Sequence, residues 1–509
     1  MKIFSARQIY EADRATEQKQ QITSIDLMER AADQVFQWLD QRLQKTQVPI
    51  HIFCGIGNNG GDGMALGRML LDNGYIVKSY IVNYSEKRSK CFLINYDRYK
   101  NMTKDWPLMM KCEEDFPTIN SNDIAVDCIF GIGLNKPIAD WVKNLIQHIN
   151  RSRAFVLSID VPSGLFVDQN TPDKEAVIRA SATLTFQSPK LVFFLPDTNR
   201  FSQTIEVLDI GLDAQYIAET PPVANLIMKN EVLSMYLPRD KFSHKGHFGH
   251  SYIAGGSYGK IGAVILAAKA CLKAGAGKIT AYIPECGYMA LQTAVPEVMV
   301  ETEGTTHFAN EIRISDDTTF VGIGVGMGTH PETAKAFLDF LKNQKKPMVV
   351  DADALNILSE NQDKLALLPK QSILTPHAVE LERLIGKWKN DFDKLEKAKE
   401  FSKKYDVIVI IKGAHTISVY QDKLFVNSTG NPGMATPGSG DVLTGLLVGL
   451  LSQGYQPVIA AIFGVYLHGS AGDLAVRQTG YQSLLAGDIA DFIGDAFLEL
   501  FRKEDEPPG

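Results

Sequence analysis

Hydrophobic positions at the start of the chain fall on helical stripes. Ser5 followed by Gln8 has the spacing of a capping box and predicts a first helix there. A second helix is predicted from Thr23 or Ser24, because one stripe carries Leu27, Ala31, Val35 and Leu39. A polar loop over residues 55–63 separates the following apolar run from a further helix, predicted to begin at Met64 and to stop at Gly74.

Short apolar runs alternate with these helical stretches and predict strands. In the first half of the chain they cover residues 51–54, 76–82, 124–129, 155–159 and 183–186. A further helix is predicted over residues 138–149. Alternating strands and helices of this kind predict a mostly parallel sheet covered on both faces, which is a Rossmann-like three-layer domain.

A second series of strands and helices follows residues 219–225, whose paired prolines make this segment the best candidate linker. Its predicted elements are a strand near 251–256, a helix from Ala263, strands near 278–284, 318–326, 347–355 and 407–413, and helices over 441–451 and 457–478. The two halves share an architecture without a repeated sequence, which indicates a fusion. We therefore expect two α/β domains, over residues 1–218 and 225–502.

Composition narrows the class of protein. The 509 residues exceed what one hydrophobic core usually organises, and 45% apolar with 22% charged residues is typical of globular chains. The formal net charge of −7, without a basic block, disfavours nucleic acid as a partner. Six cysteines without a CxxC pair are typical of reduced thiols in the cytoplasm. We find neither an apolar signal core nor an unbroken apolar run approaching the roughly 20 residues that span a bilayer. No membrane partner is therefore expected.

The glycine-rich segment Gly57–Gly63, with the sequence GNNGGDG, lies between a predicted strand and a predicted helix. Glycine permits positive φ and close approach of a ligand, and a helix start offers free N–H groups to phosphate. A plain tight turn is the alternative. Two asparagines and an aspartate are poor choices for a turn that needs only flexibility, so a binding role is favoured.

Two further loops follow strands at the edge of the predicted sheet where ligands bind in such folds. One covers residues 127–137 and the other residues 160–164. Asp127 and Asp160 each end an apolar run, where a carboxylate needs a partner, although a turn or helix cap would also explain such residues. Asn59, Asp127 and Ser163 together make an all-oxygen set that suits a hard cation.

The motifs NNGGDG, DCIFGIGLNKP and DVPSG, in this order, resemble the NAD(P)H-hydrate epimerase domain over roughly residues 1–215. The resemblance implies interconversion of the R and S hydrates at C6 of the reduced nicotinamide ring. It implies a potassium ion on Asn59, Asp127 and Ser163. Asp160 is our candidate for proton transfer because it lies at the end of a predicted strand, where a carboxylate can act as acid or base. The substrate-binding residues that it implies are Asn58, Asn59, Gly60, Gly61, Asp62, Gly131, Ile132, Gly133, Leu134, Asn135, Lys136, Pro137 and Asp160.

A second glycine-rich segment covers residues 427–441. Gly438, Ser439 and Gly440 precede an apolar helix, whose positive end would stabilise a transferring phosphoryl group. Asp441 is placed to take a proton from an attacking hydroxyl; an N-cap aspartate is the alternative. The arrangement resembles the ribokinase-like superfamily, and we find no Walker A motif.

More specific motifs in residues 225–502 resemble the ADP/ATP-dependent NAD(P)H-hydrate dehydratase, namely those at residues 244–280, 322–328, 351–356 and 374–380. The resemblance implies that ADP or ATP, with Mg²⁺, phosphorylates the C6 hydroxyl, after which phosphate leaves and NAD(P)H is regenerated; with ADP, the products include AMP. It implies contacts to the S hydrate from Ala263, Gly326, His377 and Asp441. The nucleotide would be held by Lys412, Gly413, Ala414, His415, Thr416 and Gly440.

Four further residues of this half bear on the predicted site. Asp351 and Asp353, two apart on a predicted strand, would face the same side, and we favour structural or water-mediated metal roles for both. His377 is either a substrate contact, which we favour, or a structural hydrogen-bonding residue. Pro437 departs from the smaller residue expected there and predicts an altered entry into the loop.

Two other functions share parts of these motifs. A small-alcohol or vitamin-precursor kinase with a non-catalytic N-terminal domain would use the same GSGD chemistry but leaves residues 244–249 and 374–377 unexplained. A silent interaction or RNA-binding N-terminal domain conflicts with the intact NNGGDG segment and the acidic net charge. The expected partners are the hydrates NADHX and NADPHX, ADP, and further copies of this chain. The preferences for ADP over ATP and for NADHX over NADPHX stay open.

Overall fold

The computed structural model describes residues 1–302, 305–314 and 320–502. The chain forms two compact units, one over Lys2–Ala224 and one from Asn225 onward. Each unit is built on its own largely parallel sheet with helices packed against it, so the predicted α/β class is confirmed.

The sheet of the N-terminal unit is parallel at every pairing, in the order β4-β3-β2-β5-β6-β7-β8. The order reverses direction between β2 and β5, and such switch points open a crevice beyond the strand carboxyl ends. The strands of this part of the chain are β1 (Lys2–Ile3), β2 (Ile50–Cys54), β3 (Val77–Val82), β4 (Leu108–Met110), β5 (Ile124–Cys128), β6 (Phe155–Ile159), β7 (Ala180–Phe186) and β8 (Ser202–Leu208).

The predicted starts of the first two helices of this unit are confirmed. Ser5 and Gln8 form the expected capping box, and Thr23 forms a second one with Asp26. The helices are α1 (Ala6–Gln20), α2 (Ser24–Leu43), α3 (Asn58–Asp72), α4 (Lys90–Met102), α5 (Asp140–Arg151) and α6 (Ala214–Glu219). Single-turn 3₁₀ helices lie at Glu113–Asp115, Lys174–Ala176, Leu191–Phe194 and Asn199–Phe201.

Helices cover both faces of this sheet. On one face α2, α3 and α4 share a core with side chains of the central strands, including Ile52, Val126 and Leu157. On the other face α5 packs Val142 and Ile146 against a second core. The Rossmann-like three-layer prediction is therefore confirmed.

The sheet of the C-terminal unit is mixed, in the order β9-β18-β17-β16-β15-β14-β13-β10-β11-β12. Among these described strands, β17 pairs antiparallel with both β16 and β18, and the other pairings are parallel. Its strands are β9 (Ala224–Ile227), β10 (His250–Ala254), β11 (Lys278–Ile283), β12 (Met299–Thr302), β13 (Phe320–Ile323), β14 (Val349–Val350), β15 (Ile373–Leu374), β16 (Ile408–Ile411), β17 (Ile417–Tyr420) and β18 (Lys423–Asn427). Residues 318–319 of the strand predicted over 318–326 lie outside the described residues.

The helices of the C-terminal unit are α7 (Lys229–Leu233), α8 (Ile261–Ala274), α9 (Tyr288–Ala294), α10 (Pro331–Leu341), α11 (Ala352–Glu360), α12 (Ala378–Ile385), α13 (Asp391–Tyr405), α14 (Ser439–Ser452), α15 (Pro457–Thr479), α16 (Ala486–Asp491) and α17 (Ile493–Glu499). Single 3₁₀ segments lie at Lys245–Phe248, Glu285–Gly287, Gln362–Leu367 and Pro432–Met434. A large apolar core joins α8, α14, α15, α16 and α17 to the sheet.

Helix α14 packs closely on α8 through glycine. A Cβ added at Gly445 would lie 1.9 Å from the backbone oxygen of Ala267, so only glycine permits this approach. The contact holds the first turn of α14 in a fixed place relative to the sheet.

One described helix, α15, is long and apolar enough to cross a membrane by length and composition. Most of its apolar window, 72%, is buried inside the protein, where it packs in the core of the C-terminal unit. This burial is typical of a core helix.

Two predictions of local structure are wrong. Helix α3 begins at Asn58, not Met64, so the NNGGDG segment forms its first turns. Strand β14 ends at Val350, and Asp351 and Asp353 lie at the N-cap and in the first turn of α11 instead of on a strand.

Candidate active sites

The N-terminal site is a cavity of about 970 Å³ at the carboxyl edge of the sheet, where the strand order reverses. Helix α3 follows β2, the Gly131 loop follows β5, and Asp160 follows β6, so three neighbouring strands deliver their loops to one place. Its lining includes the predicted residues Asn58, Asn59, Asp62, Gly131, Ile132, Gly133, Leu134, Asn135 and Asp160.

Gly60 and Gly61 lie behind the cavity wall and serve packing. A Cβ at Gly60 would lie 1.8 Å from the Gly55 carbonyl oxygen, and one at Gly61 would lie 2.7 Å from the Met28 sulfur. Gly60 therefore lets the first turn of α3 approach the end of β2, and Gly61 lets it approach α2. The Gly61 N–H donates to the Gly57 carbonyl at 3.2 Å, whereas the Gly60 N–H belongs to the positive end of a 15-residue helix, which favours a bound anion.

The Gly131 loop reaches the cavity with its first five residues, whereas Lys136 and Pro137 are not among the residues that line it. A Cβ at Gly133 would lie 2.6 Å from the Tyr10 hydroxyl of α1. The loop and α1 therefore touch across the cavity mouth.

The predicted cation ligands do come together. Ser163 Oγ lies 2.5 Å from Asp127 Oδ1, and the Asn59 side-chain amide donates to the Phe130 carbonyl at 2.9 Å. The Ser163 Oγ is also 3.3 Å from that carbonyl oxygen. All three predicted side chains are buried.

Two features of this cluster suit a cation. Asn59 Oδ1 is buried without a hydrogen-bond partner in the described structure, and such an atom needs one. Burial raises the pKa of Asp127, although hydrogen bonds from Ser163 and Ser158 oppose the shift, so a positive charge here would be stabilising. The Phe130 carbonyl is a fourth oxygen in the cluster, which side-chain motifs do not reveal.

Asp160 is held in an unusual conformation by a buried lysine. Its φ is +67°, a left-handed value that few residues other than glycine, asparagine and aspartate adopt readily. Lys190 Nζ lies 2.8 Å from Asp160 Oδ1 and also donates to Thr185 Oγ1 at 2.8 Å. The lysine is 2% exposed, so this is a buried ion pair that fixes the carboxylate at the cavity wall.

Helix α1 supplies an acidic wall that the sequence motifs did not predict. Asp13 and Tyr10 line the cavity with Asp62 and Asp160. Burial and the neighbouring Asp160 raise the pKa of Asp13 to about 7. Burial, Asp160 and Asp13 raise the pKa of Asp62 well above its usual range.

The C-terminal site lies at the carboxyl ends of β13, β14 and β16, facing the start of α14. Gly438, with φ of +88°, is the N-cap, and Ser439, Gly440 and Asp441 form the first turn of α14. The helix therefore starts within the predicted GSGD segment. Within the described ranges, Asp441 makes no hydrogen bond or ion pair, so the capping alternative is not supported.

The environment of Asp441 suits a general base. Burial, with the nearby Asp351 carboxylate, raises its pKa to about 7, while Lys412 acts in the opposite direction. Lys412 Nζ lies 3.1 Å from Asp351 Oδ1, and Asp351 also accepts from Thr375 at 2.7 Å and from Thr444 at 2.9 Å. Asp351 is thus a buried anchor that positions Lys412 beside α14.

Asp353 has a different environment. Its Oδ2 accepts from the Gly328 N–H at 2.8 Å and lies 3.7 Å from Lys260 Nζ, which orients the loop after β13. A Cβ at Gly440 would lie 3.3 Å from Lys412 Nζ, so the backbone of α14 and the lysine already approach each other.

The structure brings two predicted substrate contacts together. A Cβ at Gly326, whose φ is +59°, would lie 3.0 Å from Ala263 Cβ, so the loop after β13 touches the start of α8. His377 caps α12 through Nδ1, which accepts from the Val379 N–H at 3.2 Å. Its Nε2 lies 3.2 Å from Glu380 Oε1, yet over half of the side chain is exposed. The structural alternative for His377 therefore holds, without excluding substrate contact.

The predicted nucleotide segment Lys412–Thr416 leaves β16 and turns towards β17. Thr416 Oγ1 lies 3.3 Å from the Gly413 carbonyl, and His415 Nδ1 lies 3.2 Å from the Asn427 carbonyl.

His468 supports the first turn of α14. Burial lowers the pKa of His468 to about 4, so its ring is neutral, and its Nε2 lies 3.4 Å from Ser439 Oγ. No local motif marks His468 for this role.

The fold and sites define an α/β enzyme with two separate centres. One is a large cavity with a helix N-terminus, a buried oxygen cluster and several carboxyls. The other places a glycine-rich helix start, a lysine and a carboxyl of raised pKa together, as in phosphoryl transfer.

Comparison with known proteins covers both centres. Residues 251–494 match the NAD(P)H-hydrate dehydratase family model, and residues 24–192 match that of the YjeF-related protein N-terminus. The bifunctional NAD(P)H-hydrate repair enzyme of Moorella thermoacetica is 34% identical over 97% of this chain and 96% of its own. The Escherichia coli K12 protein of the same name is 31% identical over 92% of this chain and 88% of its own. The chain belongs to the family of bifunctional NAD(P)H-hydrate repair enzymes.

Among solved structures, the ADP/ATP-dependent NAD(P)H-hydrate dehydratase from Bacillus subtilis, co-crystallised with ATP and Mg²⁺, covers 54% of this chain and 99% of its own. Its sequence is 25% identical and the TM-score is 0.48.

Proposed function

We propose that this protein repairs hydrated nicotinamide dinucleotides in two steps. The N-terminal unit interconverts the R and S hydrates of NADH and NADPH, and the C-terminal unit dehydrates the S hydrate with ADP or ATP. The observation that carries the proposal is the presence of both centres in one chain of this family, each at a sheet edge with the motif residues assembled.

In the N-terminal unit, the dinucleotide would occupy the cavity with its phosphates towards the start of α3. The residues assigned to it are Asn58–Asp62 and Gly131–Pro137, together with Asp160, and Gly60 would act through its backbone N–H. Asp160, fixed by Lys190, would handle the proton at the C6 hydroxyl.

Potassium would be held by Asn59, Asp127 and Ser163, with the Phe130 carbonyl as a further ligand. The unpartnered Asn59 Oδ1 supports this assignment. When bound, the ion would offset the buried charge of Asp127 and order the loop that carries Gly131.

In the C-terminal unit, Asp441 would remove the proton from the C6 hydroxyl while the N–H groups of Gly438, Ser439 and Gly440 stabilise the transferring phosphoryl group. Departure of phosphate then regenerates the reduced ring. Ala263, Gly326 and His377 are assigned to the S hydrate.

The nucleotide is assigned to Lys412, Gly413, Ala414, His415, Thr416 and Gly440. Magnesium would arrive on the nucleotide phosphates and screen their charge, since Mg²⁺ is usually held by one or two carboxylates plus substrate phosphates. Asp351 and Asp353 lie near Asp441 and suit water-mediated contact with the magnesium ion.

The six free cysteines fit a reducing cytoplasm, and assembly of the chain into a homo-oligomer stays a prediction.

The test supplies mixed R and S NADH hydrate with ADP, Mg²⁺ and K⁺ and follows NADH by its absorbance at about 340 nm. We expect complete conversion, with an Asp160→Asn variant stopping at the S fraction and an Asp441→Ala variant producing no NADH. A stable phosphorylated product instead of free phosphate would contradict the proposal and favour a small-alcohol kinase.

A further inference from the structure

Asp13 occupies a position on α1 that a purely structural residue would not need. Its neighbours Ala12 and Thr16 are buried against the rest of the unit, whereas Asp13 is half-buried and lines the cavity. In the described structure, we find no hydrogen bond or ion pair for its carboxyl. A carboxyl group in this position is available to a bound substrate.

Asp13 and Asp160, two of the carboxyls that line this cavity, have opposite surroundings. Asp160 is paired with the buried ammonium of Lys190 at 2.8 Å, which stabilises its anion. Asp13 lacks such a partner, and burial together with the charge of Asp160 raises its pKa to about 7. Environments that separate two carboxyls in this way are typical of acid and base pairs in enzymes.

We propose that Asp13 is a second catalytic residue of the epimerisation, acting as the proton donor to the departing C6 hydroxyl while Asp160 accepts a proton from the water that adds back. This inference rests on the epimerase activity proposed above and adds a residue that neither the motifs nor the family comparison assigns.

The chemistry balances without an oxidant or reductant. The C6–O bond breaks as the ring nitrogen lone pair forms a C=N bond, and the Asp13 carboxyl proton joins the departing oxygen to give water. Water then adds to the other face of C6, the C=N pair returns to nitrogen, and Asp160 takes the released proton. Reaction in the opposite direction, or exchange with water in the open cavity, returns the proton to Asp13.

The groups that face Asp13 determine its titration. Tyr10 and Glu17 lie on the same helix, Asp62 lies on α3, and Asp160 and Lys190 lie beyond β6 and β7. Asp160 and Glu17 favour the protonated form of Asp13, and Lys190 opposes it. Because the donor must carry its proton, epimerisation should fall as the pH rises through about 7.

The experiment compares Asp13→Asn with the wild-type full-length chain and with Asp97→Asn, which removes an exposed carboxyl on α4. Without ADP, epimerisation is followed alone by chromatographic separation of the R and S hydrates. We expect Asp13→Asn to lower kcat by about 10²-fold or more with little change in KM, and Asp97→Asn to behave like the wild type. The same preparation, given S hydrate and ADP, should dehydrate it at the wild-type rate.

The pH profile distinguishes catalysis from a structural effect. We expect the wild-type rate to decline above about pH 7, and the decline to disappear in Asp13→Asn. An Asp13→Glu variant should recover part of the rate together with the pH dependence. A near-normal rate in Asp13→Asn, or a low rate that keeps the wild-type pH profile, would overturn the inference. Absence of epimerisation in the wild type would instead contradict the proposed function.

Discussion

Replacement of Asp441 by Asn tests the chemistry of the C-terminal site most directly. The substitution keeps the size of the side chain in the first turn of α14 and removes the base. Loss of a general base lowers rates by about 10²–10⁴-fold. We therefore expect dehydration of the S hydrate to fall by that factor, while the nucleotide still binds.

The raised pKa of Asp441 also predicts how the dehydration rate depends on pH. Burial raises the pKa of Asp441 to about 7, and the active form is the carboxylate. Wild-type dehydration should therefore lose about a factor of ten for each pH unit below 7 and level off above about 8. The Asn variant should show no such rise, because amides do not titrate in this range.

The same raised pKa predicts that the stability of the folded protein falls as the pH rises, whereas the dehydration rate increases. The ordinary pKa of this carboxyl is 3.8, and its folded value is about 7. The folded protein therefore keeps a proton that the unfolded chain releases, so stability is lost as the pH rises from about 4 to 7. The ionised carboxyl costs on the order of 4 kcal/mol above pH 7. Asp441→Asn should accordingly raise the melting temperature of the C-terminal unit at pH 8.

Initial rates of NADH formation from S hydrate and ADP between pH 5.5 and 9, with thermal melts of the same samples, provide the assay. Asp495→Asn, which removes an exposed carboxyl on α17, is the matched control and should match the wild type in both measurements. An Asp441→Asn variant that retains the rate, retains the pH dependence, or melts below the wild type at pH 8 would refute the assignment of Asp441 as the general base.

Three further predictions concern the ion pair, the cation and the packing. Lys190→Met should abolish epimerisation and lower the stability of the N-terminal unit by about 3–5 kcal/mol in urea titrations, because it leaves Asp160 buried without its partner; equal stability would contradict the buried ion pair. Asn59→Ala should remove the rise in melting temperature that KCl, compared with choline chloride, gives the wild type; a persisting KCl effect would place the ion elsewhere. Gly445→Ala should cost about 1–3 kcal/mol in the C-terminal unit alone, since its Cβ would meet the Ala267 carbonyl.

Much of the fold follows from local pattern. The capping-box spacing at Ser5 and the apolar stripe after Thr23 predicted the first two helix starts. Short apolar runs predicted most central strands of both sheets, and helical stretches predicted seven helices, whereas α4, α6, α7, α9–α13, α16 and α17 were not predicted. The start of α3 was wrong by six residues because five of the nine residues in 55–63 are glycines, which have low helix propensity. Close packing of Gly60 on the Gly55 carbonyl outweighs that propensity, and no single-sequence pattern shows it.

The site residues also divide into those that a local motif predicts and those that only the fold brings to the site. Residues in continuous segments, such as Asn58–Asp62 and Gly438–Asp441, were predictable because the backbone before a helix binds anions in many folds. Asp13 lines the cavity and Lys190 bonds to Asp160 in the cavity wall, although the two residues lie far apart in the sequence, so only the fold associates them with one site. The one local sign of Asp13 was a carboxylate four residues after the buried Ile9, on the apolar side of α1.

The assignment of Asp351 and Asp353 shows a second limit. An apolar run followed by DAD predicted a strand that continued through both residues, but β14 has two residues and the chain turns at Ala352, with φ of +50°. The two carboxylates therefore point to different partners, Lys412 and the Gly328 N–H, and have separate roles.

The division of the chain into two units at Ala224 fixes the ratio of the two catalytic activities in the cell. A reversible isomerisation only redistributes damaged cofactor between two stereoisomers, whereas a step driven by phosphate-bond cleavage is effectively irreversible. A single polypeptide that carries both guarantees equal numbers of the two catalysts, whatever the expression level. The irreversible reaction of the C-terminal unit consumes the S hydrate. The N-terminal unit then converts the R hydrate into the S hydrate by mass action, so both stereoisomers are removed.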